Sequence, residues 1–258
     1  PAGVTLIVDQ PLSAKLELQG NAEVQLDHQT IPEFISVSPT STVYFNTVST
    51  NIAAGQYGNV VLTGSGNKNF GAGETTIHGD LTVSGPVALK GAPGNTSKLT
   101  LHGNLEMYDT PGLLAADNTL DLTLANPTSQ SLTLPGSIDF YRITTQPNAT
   151  VTLVNSFDPV TLNVGSAQGG GLVLANGSTL NLGNNHLSLK IAGAINPANQ
   201  TGRVAINGSN LSLASSSTQN SNLYLDATQR TAGLVTSNFS GSGKLNIQSP
   251  LIITDGLK

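Results

Sequence analysis

A short alternation of apolar, polar, apolar and then Gly, Asn or another turn-former recurs from one end of the chain to the other. It occurs as Leu16-Glu17-Leu18, Val24-Gln25-Leu26 and Val43-Tyr44-Phe45, and again as Leu81-Thr82-Val83, Val87-Ala88-Leu89, Leu99-Thr100-Leu101 and Leu105-Glu106-Met107. Further copies are Leu120-Asp121-Leu122, Leu132-Thr133-Leu134, Val151-Thr152-Leu153 and Val160-Thr161-Leu162. The last third adds Leu172-Val173-Leu174, Leu180-Asn181-Leu182, Leu187-Ser188-Leu189, Val204-Ala205-Ile206, Leu211-Ser212-Leu213 and Leu245-Asn246-Ile247. Successive side chains of a strand point to opposite sides, so each burst predicts a short strand with one buried face. Helical spacing is not sustained anywhere.

The intervals between bursts select the architecture. Steps of six to nine residues (Leu81 to Val87, Leu99 to Leu105, Leu180 to Leu187) alternate with steps of 12 to 18. A sandwich of hairpins would show longer strands and two-residue turns. A chain that turns a corner every few residues suits a coil with three faces.

Self-similarity agrees. Ile77-His78-Gly79-Asp80-Leu81-Thr82-Val83 aligns with Leu101-His102-Gly103-Asn104-Leu105-Glu106-Met107 at an offset of 24, and Val60-Val61-Leu62 with Val87-Ala88-Leu89 at an offset of 27. A coil of 24 to 27 residues follows, and repeats of that length denote a solenoid. The expected fold is all-β: a right-handed parallel β-helix (β-solenoid) with about three short strands per coil. It fills residues 1–258 as one segment, less regular over 1–56 and clearest over 57–258. At roughly 4.8 Å per coil, about ten coils would make a rod on the order of 50 Å long.

Asn176-Gly177 and Asn207-Gly208 are expected at corners, where left-handed backbone is needed. Ser36–Asn51, Tyr108–Asn118, Tyr141–Asn148 and Ser215–Asn220 read as loops thrown out from corners. An apolar run follows Pro1 almost at once, and Leu251–Lys258 stops in mid-pattern. Solenoid ends carry open strand edges, so neighbouring sequence or another molecule is expected to cover at least one of them.

Composition changes the picture in three ways. Charged residues make up 10% of the chain, against roughly 25% in an ordinary globular domain, so Ser, Thr, Asn and Gln must supply the wet surface. Arginine occurs only at Arg142, Arg203 and Arg230 and the net charge is −5, which removes the basic stripe a nucleic-acid surface needs. No apolar run reaches the roughly 18 residues of a membrane helix, and the absence of Cys suits a bacterial exterior.

Tyr57-Gly58-Asn59-Val60-Val61-Leu62-Thr63-Gly64-Ser65-Gly66-Asn67-Lys68-Asn69-Phe70, followed by Thr76–Val83, resembles segments of large repeat-rich surface proteins of Bacteroidota. So do Gly177–Leu189 and Asn222-Leu223-Tyr224-Leu225-Asp226. The resemblance covers most of Tyr57 to Lys258. It implies a giant exported adhesin of the gliding or biofilm type, carried by type IX secretion, although the sorting domain that usually ends such a cargo is not visible.

β-Helix enzymes that cut polysaccharides need clustered carboxylates. The ten Asp are scattered, and only Asp117 with Asp121, and Asp139 beside them, could share a face. His78 and His102, 24 residues apart, should stack in adjacent coils, yet the further ligands of a stable zinc site are not evident. Calcium repeats of the GGxGxD form are absent, because Leu172 follows Gly169-Gly170-Gly171. No catalytic, metal or cofactor-binding residue is therefore assigned. Tyr108 with Asp109, and Tyr141 with Arg142, are the candidates for contact with a glycan or a surface.

The expectation is a non-enzymatic structural or adhesive module of an extracellular, cell-surface protein. Its partners would be extracellular surfaces or polysaccharides, neighbouring segments of the same long protein, or other copies. The alternatives are a polysaccharide-active β-helix enzyme and a subunit that stacks end to end into a fibre.

Overall fold

In a computed structural model of the chain, the described residues are 5–92, 94–108, 120–136, 138–155, 159–165, 169–189, 194–196, 200–215, 218 and 220–258. They form parallel strands and no helix, wound into a β-solenoid of about nine turns. None of its elements is a helix long and apolar enough to cross a membrane.

Three faces run along the coil. The first stacks Thr5–Val8, Glu23–Leu26, Thr42–Phe45, Asn59–Leu62, Leu81–Ser84, Leu105–Tyr108, Ser129–Leu134, Thr150–Asn155 and Thr179–Asn181. The second begins with Thr50–Ile52, Gly66–Phe70 and Val87–Gly91 and resumes with Ile138–Phe140, Thr161–Val164 and His186–Leu189. The third stacks Gly55–Tyr57, Gly73–Ile77, Ser97–Leu101, Leu120–Leu124, Arg142–Thr145, Gly171–Val173 and Ala194–Ile195. Near the C-terminal end the long strand Arg203–Ser215 serves two faces, pairing with Leu180 through Val204 and with Leu187 through Leu211.

Pairing in register turns the apolar positions into ladders. Val24, Val43, Val60, Leu81, Leu105 and Leu132 lie one above another, all buried. Leu99, Leu122, Ile143, Leu172 and Ile195 do the same on the third face. Each such side chain contributes roughly 1.5–3 kcal/mol when fully buried.

Polar side chains inside the coil seal the corners, where carbonyls turn inward. Lys68 Nζ donates to Phe45 O at 3.3 Å and also to Thr47 O. Gln130 Nε2 donates to Leu101 O at 2.9 Å and to Gly103 O. Asn185 donates to Leu153 O and Leu182 O, and its Oδ1 accepts from Val160 N at 3.0 Å. Asn196 bridges Leu174 N and Gly202 O. A buried polar group left unpaired is costly, so these side chains satisfy carbonyls and amides that the corners would otherwise strand.

Three sequence expectations need correction. The match of Val60–Leu62 to Val87–Leu89 is not a stacking pair: Val60–Leu62 lies under Leu81–Val83, and Val87 pairs with Gly66 on another face, both at an offset of 21, while an offset of 27 occurs between Leu105 and Leu132. The offset of 24 does hold, Ile77 pairing with Leu101 and Leu81 with Leu105. Coil length is therefore not constant, running from 17 residues between Thr42 and Asn59 to 29 between Thr150 and Thr179. Ser36–Asn51 and Tyr141–Asn148 are not loops, since they contain parts of Phe34–Val37, Thr42–Phe45, Thr50–Ile52 and Arg142–Thr145. Asn207-Gly208 is a register shift inside Arg203–Ser215 rather than a free corner, whereas Asn176-Gly177 is the expected turn, with Gly177 at φ +76°.

Candidate functional site

Tyr108 ends the first-face strand Leu105–Tyr108 and is 44% exposed. Its hydroxyl donates to Glu106 Oε2 at 2.9 Å. That bond holds the phenol above its ordinary pKa, helped by slight burial and by the charges of Glu106 and Asp80. Asp109 lies outside the described residues. Tyr141 sits between Ile138–Phe140 and Arg142–Thr145, at the corner from the second face to the third. The structure thus places the two predicted contact points on different parts of the coil.

Arg142 is committed to structure. Its guanidinium carbon lies 5.6 Å from the centre of the Tyr141 ring. Nη1 donates to Asp121 Oδ2 at 3.2 Å, and Nη2 donates to Gly169 O. Register explains this arrangement, because Glu74, Lys98, Asp121 and Arg142 stack in one outward row of alternating sign. Opposite charges on neighbouring rungs stabilise a sheet, where like charges would oppose it. Beside that row runs an uncharged one, Thr76, Thr100, Thr123 and Thr144.

The acidic grouping does not assemble. Asp121 belongs to the third face and pairs with Arg142, whereas Asp139 is on the second and pairs with Asn163. Asp117 lies outside the described residues. The histidines do stack as the 24-residue offset predicts: the rings of His78 and His102 are 5.4 Å apart and inclined by 18°. His78 Nε2 lies 3.3 Å from Gln56 Oε1. Among the described residues no three His, Cys, Asp or Glu converge on a metal position.

Of the concave places among the described residues, two lie elsewhere on the coil and are larger than the small one beside His186 and Asn210. One is a groove of about 390 Å³ between Phe34–Val37 and Gly55–Tyr57. Phe34–Val37 pairs with Leu16–Leu18, and Gly55–Tyr57 with Gly73–Ile77, so those two strands face each other across a break in the sheet. The other is an open cleft of about 380 Å³ on the first face, lined by Gly177, Thr179, Thr201, Arg203 and Tyr224. Its centre is an outward row: Ser129, Thr150, Thr179, Arg203 and Tyr224 stand in register on successive coils.

The chain matches no protein-family model, no curated protein and no solved structure.

The row ending in Arg203 and Tyr224 escaped the sequence reading, although a signal existed. Each precedes an inward apolar residue, Val204 or Leu225, and the two stand 21 residues apart, so both point outward on adjacent rungs. Tyr224 lies within the strand Ser221–Phe239, whereas Tyr108 stands at a strand end and Tyr141 at a corner. Thr201 closes the side of the cleft, its N–H and hydroxyl both donating to Asn176 Oδ1 at 3.0 Å.

Proposed function

We propose that this chain is a stiff structural and adhesive module of an extracellular bacterial surface protein, acting by contact rather than by catalysis. The observation that carries the reading is the outer surface of the coil. Apolar ladders and buried amide donors fix the coil. Outward rows such as Ser129, Thr150 and Thr179, or Thr76, Thr100, Thr123 and Thr144, carry hydroxyl side chains beside one row of alternating charge. Such rows offer many weak hydrogen bonds at a constant spacing of roughly 4.8 Å, which suits an extended polysaccharide or a hydrated surface.

The resemblance to repeat-rich surface proteins of Bacteroidota supports the same reading, including export by the type IX route. Against catalysis stands the use of Asp121 in an ion pair and its separation from Asp139. The test is binding of the chain to a panel of immobilised glycans, abiotic surfaces and whole cells. Saturable binding to one class supports adhesion in this segment. Indifference to the whole panel would leave a spacer.

A further inference from the structure

Resting on the adhesive reading, we infer that the cleft at Thr179, Arg203 and Tyr224 is a binding site for an anionic saccharide, one bearing carboxylate or sulfate. The groups are adjacent by register, since Thr179 pairs with Arg203 and Arg203 with Tyr224. They open onto a concave space of about 380 Å³, large enough for a sugar ring.

What distinguishes this arginine is that it is uncommitted. Arg142 is held by Asp121 and Gly169. The Arg203 side chain is exposed and makes no hydrogen bond or ion pair among the described residues. The neighbouring carboxylate is Asp226, and it is occupied by its own turn. Its Oδ1 accepts from Thr228 N at 2.9 Å, Thr228 Oγ1 at 2.8 Å and Gln229 N at 3.1 Å. Arg203 attracts the Asp226 carboxylate without a hydrogen bond or ion pair between them, the last of the causes that lower the Asp226 pKa. The hydroxyls of Thr179 and Tyr224 likewise have no partner among the described residues.

The chemistry follows from these groups. A guanidinium presents two parallel N–H donors that match a carboxylate or sulfate. An aromatic ring on the next rung offers an apolar face to a sugar ring and a hydroxyl at its edge. The rung below supplies the Thr179 hydroxyl, and the row continues through Thr150 and Ser129, so a chain of sugars lying along the coil axis would meet a hydroxyl at each step. A neutral glucan could use the hydroxyls and the ring but not the cation. Recognition should therefore depend on the negative group.

The experiment is biolayer interferometry of the intact chain on immobilised polygalacturonate, a sulfated glycosaminoglycan and a neutral glucan, with variants checked for fold by circular dichroism. The expected result is saturable, salt-sensitive binding to an anionic glycan, with affinity falling about ten-fold in R203A and several-fold in Y224A. R203K should recover only part of it, because an ammonium lacks the paired donors. K15A, which removes the same charge near the other end of the coil, should bind as the parent does. The stronger of the two anionic arms identifies carboxylate or sulfate as the group read. Unchanged affinity in R203A, an equal loss in K15A, or equal binding to the neutral glucan would overturn the site while leaving adhesion standing. Failure to bind any of the three, with binding to cells or abiotic surfaces retained, would also overturn the site alone. Failure on every surface would overturn both.

Discussion

The Lys68 ammonium lies inside the coil and donates to the carbonyl oxygen of Phe45, 3.3 Å away in the turn beneath. It is fully buried, and burial lowers its pKa from 10.5 to about 8. Between those values the unfolded chain holds a proton that the folded one has released, so stability rises with pH. The cost of burying the charge is present in full below pH 8 and gone above 10.5, on the order of 3 kcal/mol. Urea unfolding of the parent and K68M at pH 7, 8, 9 and 10 should show the difference moving in favour of the parent as pH rises. A difference independent of pH would refute this account.

A second relation runs along one corner, where each coil's side chain takes the next coil's amide. Asp80 N donates to Asn59 Oδ1 at 3.0 Å, Asn104 N to Asp80 Oδ1 at 2.6 Å, and Ser131 N to Asn104 Oδ1 at 2.9 Å. Close approach of the coils makes this possible, and Gly103 permits it: a Cβ there would stand 2.3 Å from the backbone of Gly79. N104A should cost about 1–2 kcal/mol through the orphaned Ser131 amide. G103A should cost about 1–3 kcal/mol because backbone must shift. Denaturant midpoints would report both, and a neutral G103A would mean that the coils are not packed this closely.

The apolar ladders were legible in the sequence because the buried position is marked by residue type. Val43-Tyr44-Phe45 and Leu105-Glu106-Met107 announce themselves, and both are strands. Gly66-Asn67-Lys68-Asn69-Phe70 is equally a strand, yet its inward positions are Lys68 and Phe70, and nothing in alternation alone places a lysine inside. Thr50 and Thr75 disguise two further strands in the same way. Lys68 is accommodated by carbonyls contributed by another coil, whereas the Thr50 and Thr75 hydroxyls are buried with no hydrogen-bond partner among the described residues, and a linear reading contains neither circumstance. The 24-residue stack of the histidines was readable because that coil repeats its own sequence. The Arg203–Tyr224 row was hidden because coil length varies.

Arg142 and Asp121 give a prediction that separates structure from surface contact. Asp121 Oδ1 is buried without a hydrogen-bond partner and Oδ2 depends on Arg142. R142A therefore strands a covered carboxylate, and should cost about 1–3 kcal/mol. For a domain of this size that lowers Tm by roughly 2–4 °C per kcal/mol. The double variant D121A/R142A should regain part of the loss, since the burden is the unpaired charge. If R142A melts with the parent and loses glycan binding instead, the residue belongs to a contact surface after all.

Tyr57 stands at the break in the sheet between Phe34–Val37 and Gly55–Tyr57. Its ring meets Phe34 edge-on at 6.0 Å and Phe45 at 6.3 Å, and its hydroxyl donates to Ala53 O at 2.9 Å. Burial pushes its pKa from 10.0 up to about 12. Here the unfolded chain loses its proton first, so the stability supplied by Tyr57 is intact below pH 10 and falls as pH rises towards 12. Y57F keeps the aromatic contacts and gives up the hydrogen bond, a cost of about 1 kcal/mol at pH 8. Above pH 10 its stability should decline less steeply than the parent's, so that the two curves converge. Parallel curves in that range would mean that the phenol is reached by water, and that the groove beside it opens deeper than Phe34 and Ala53 allow.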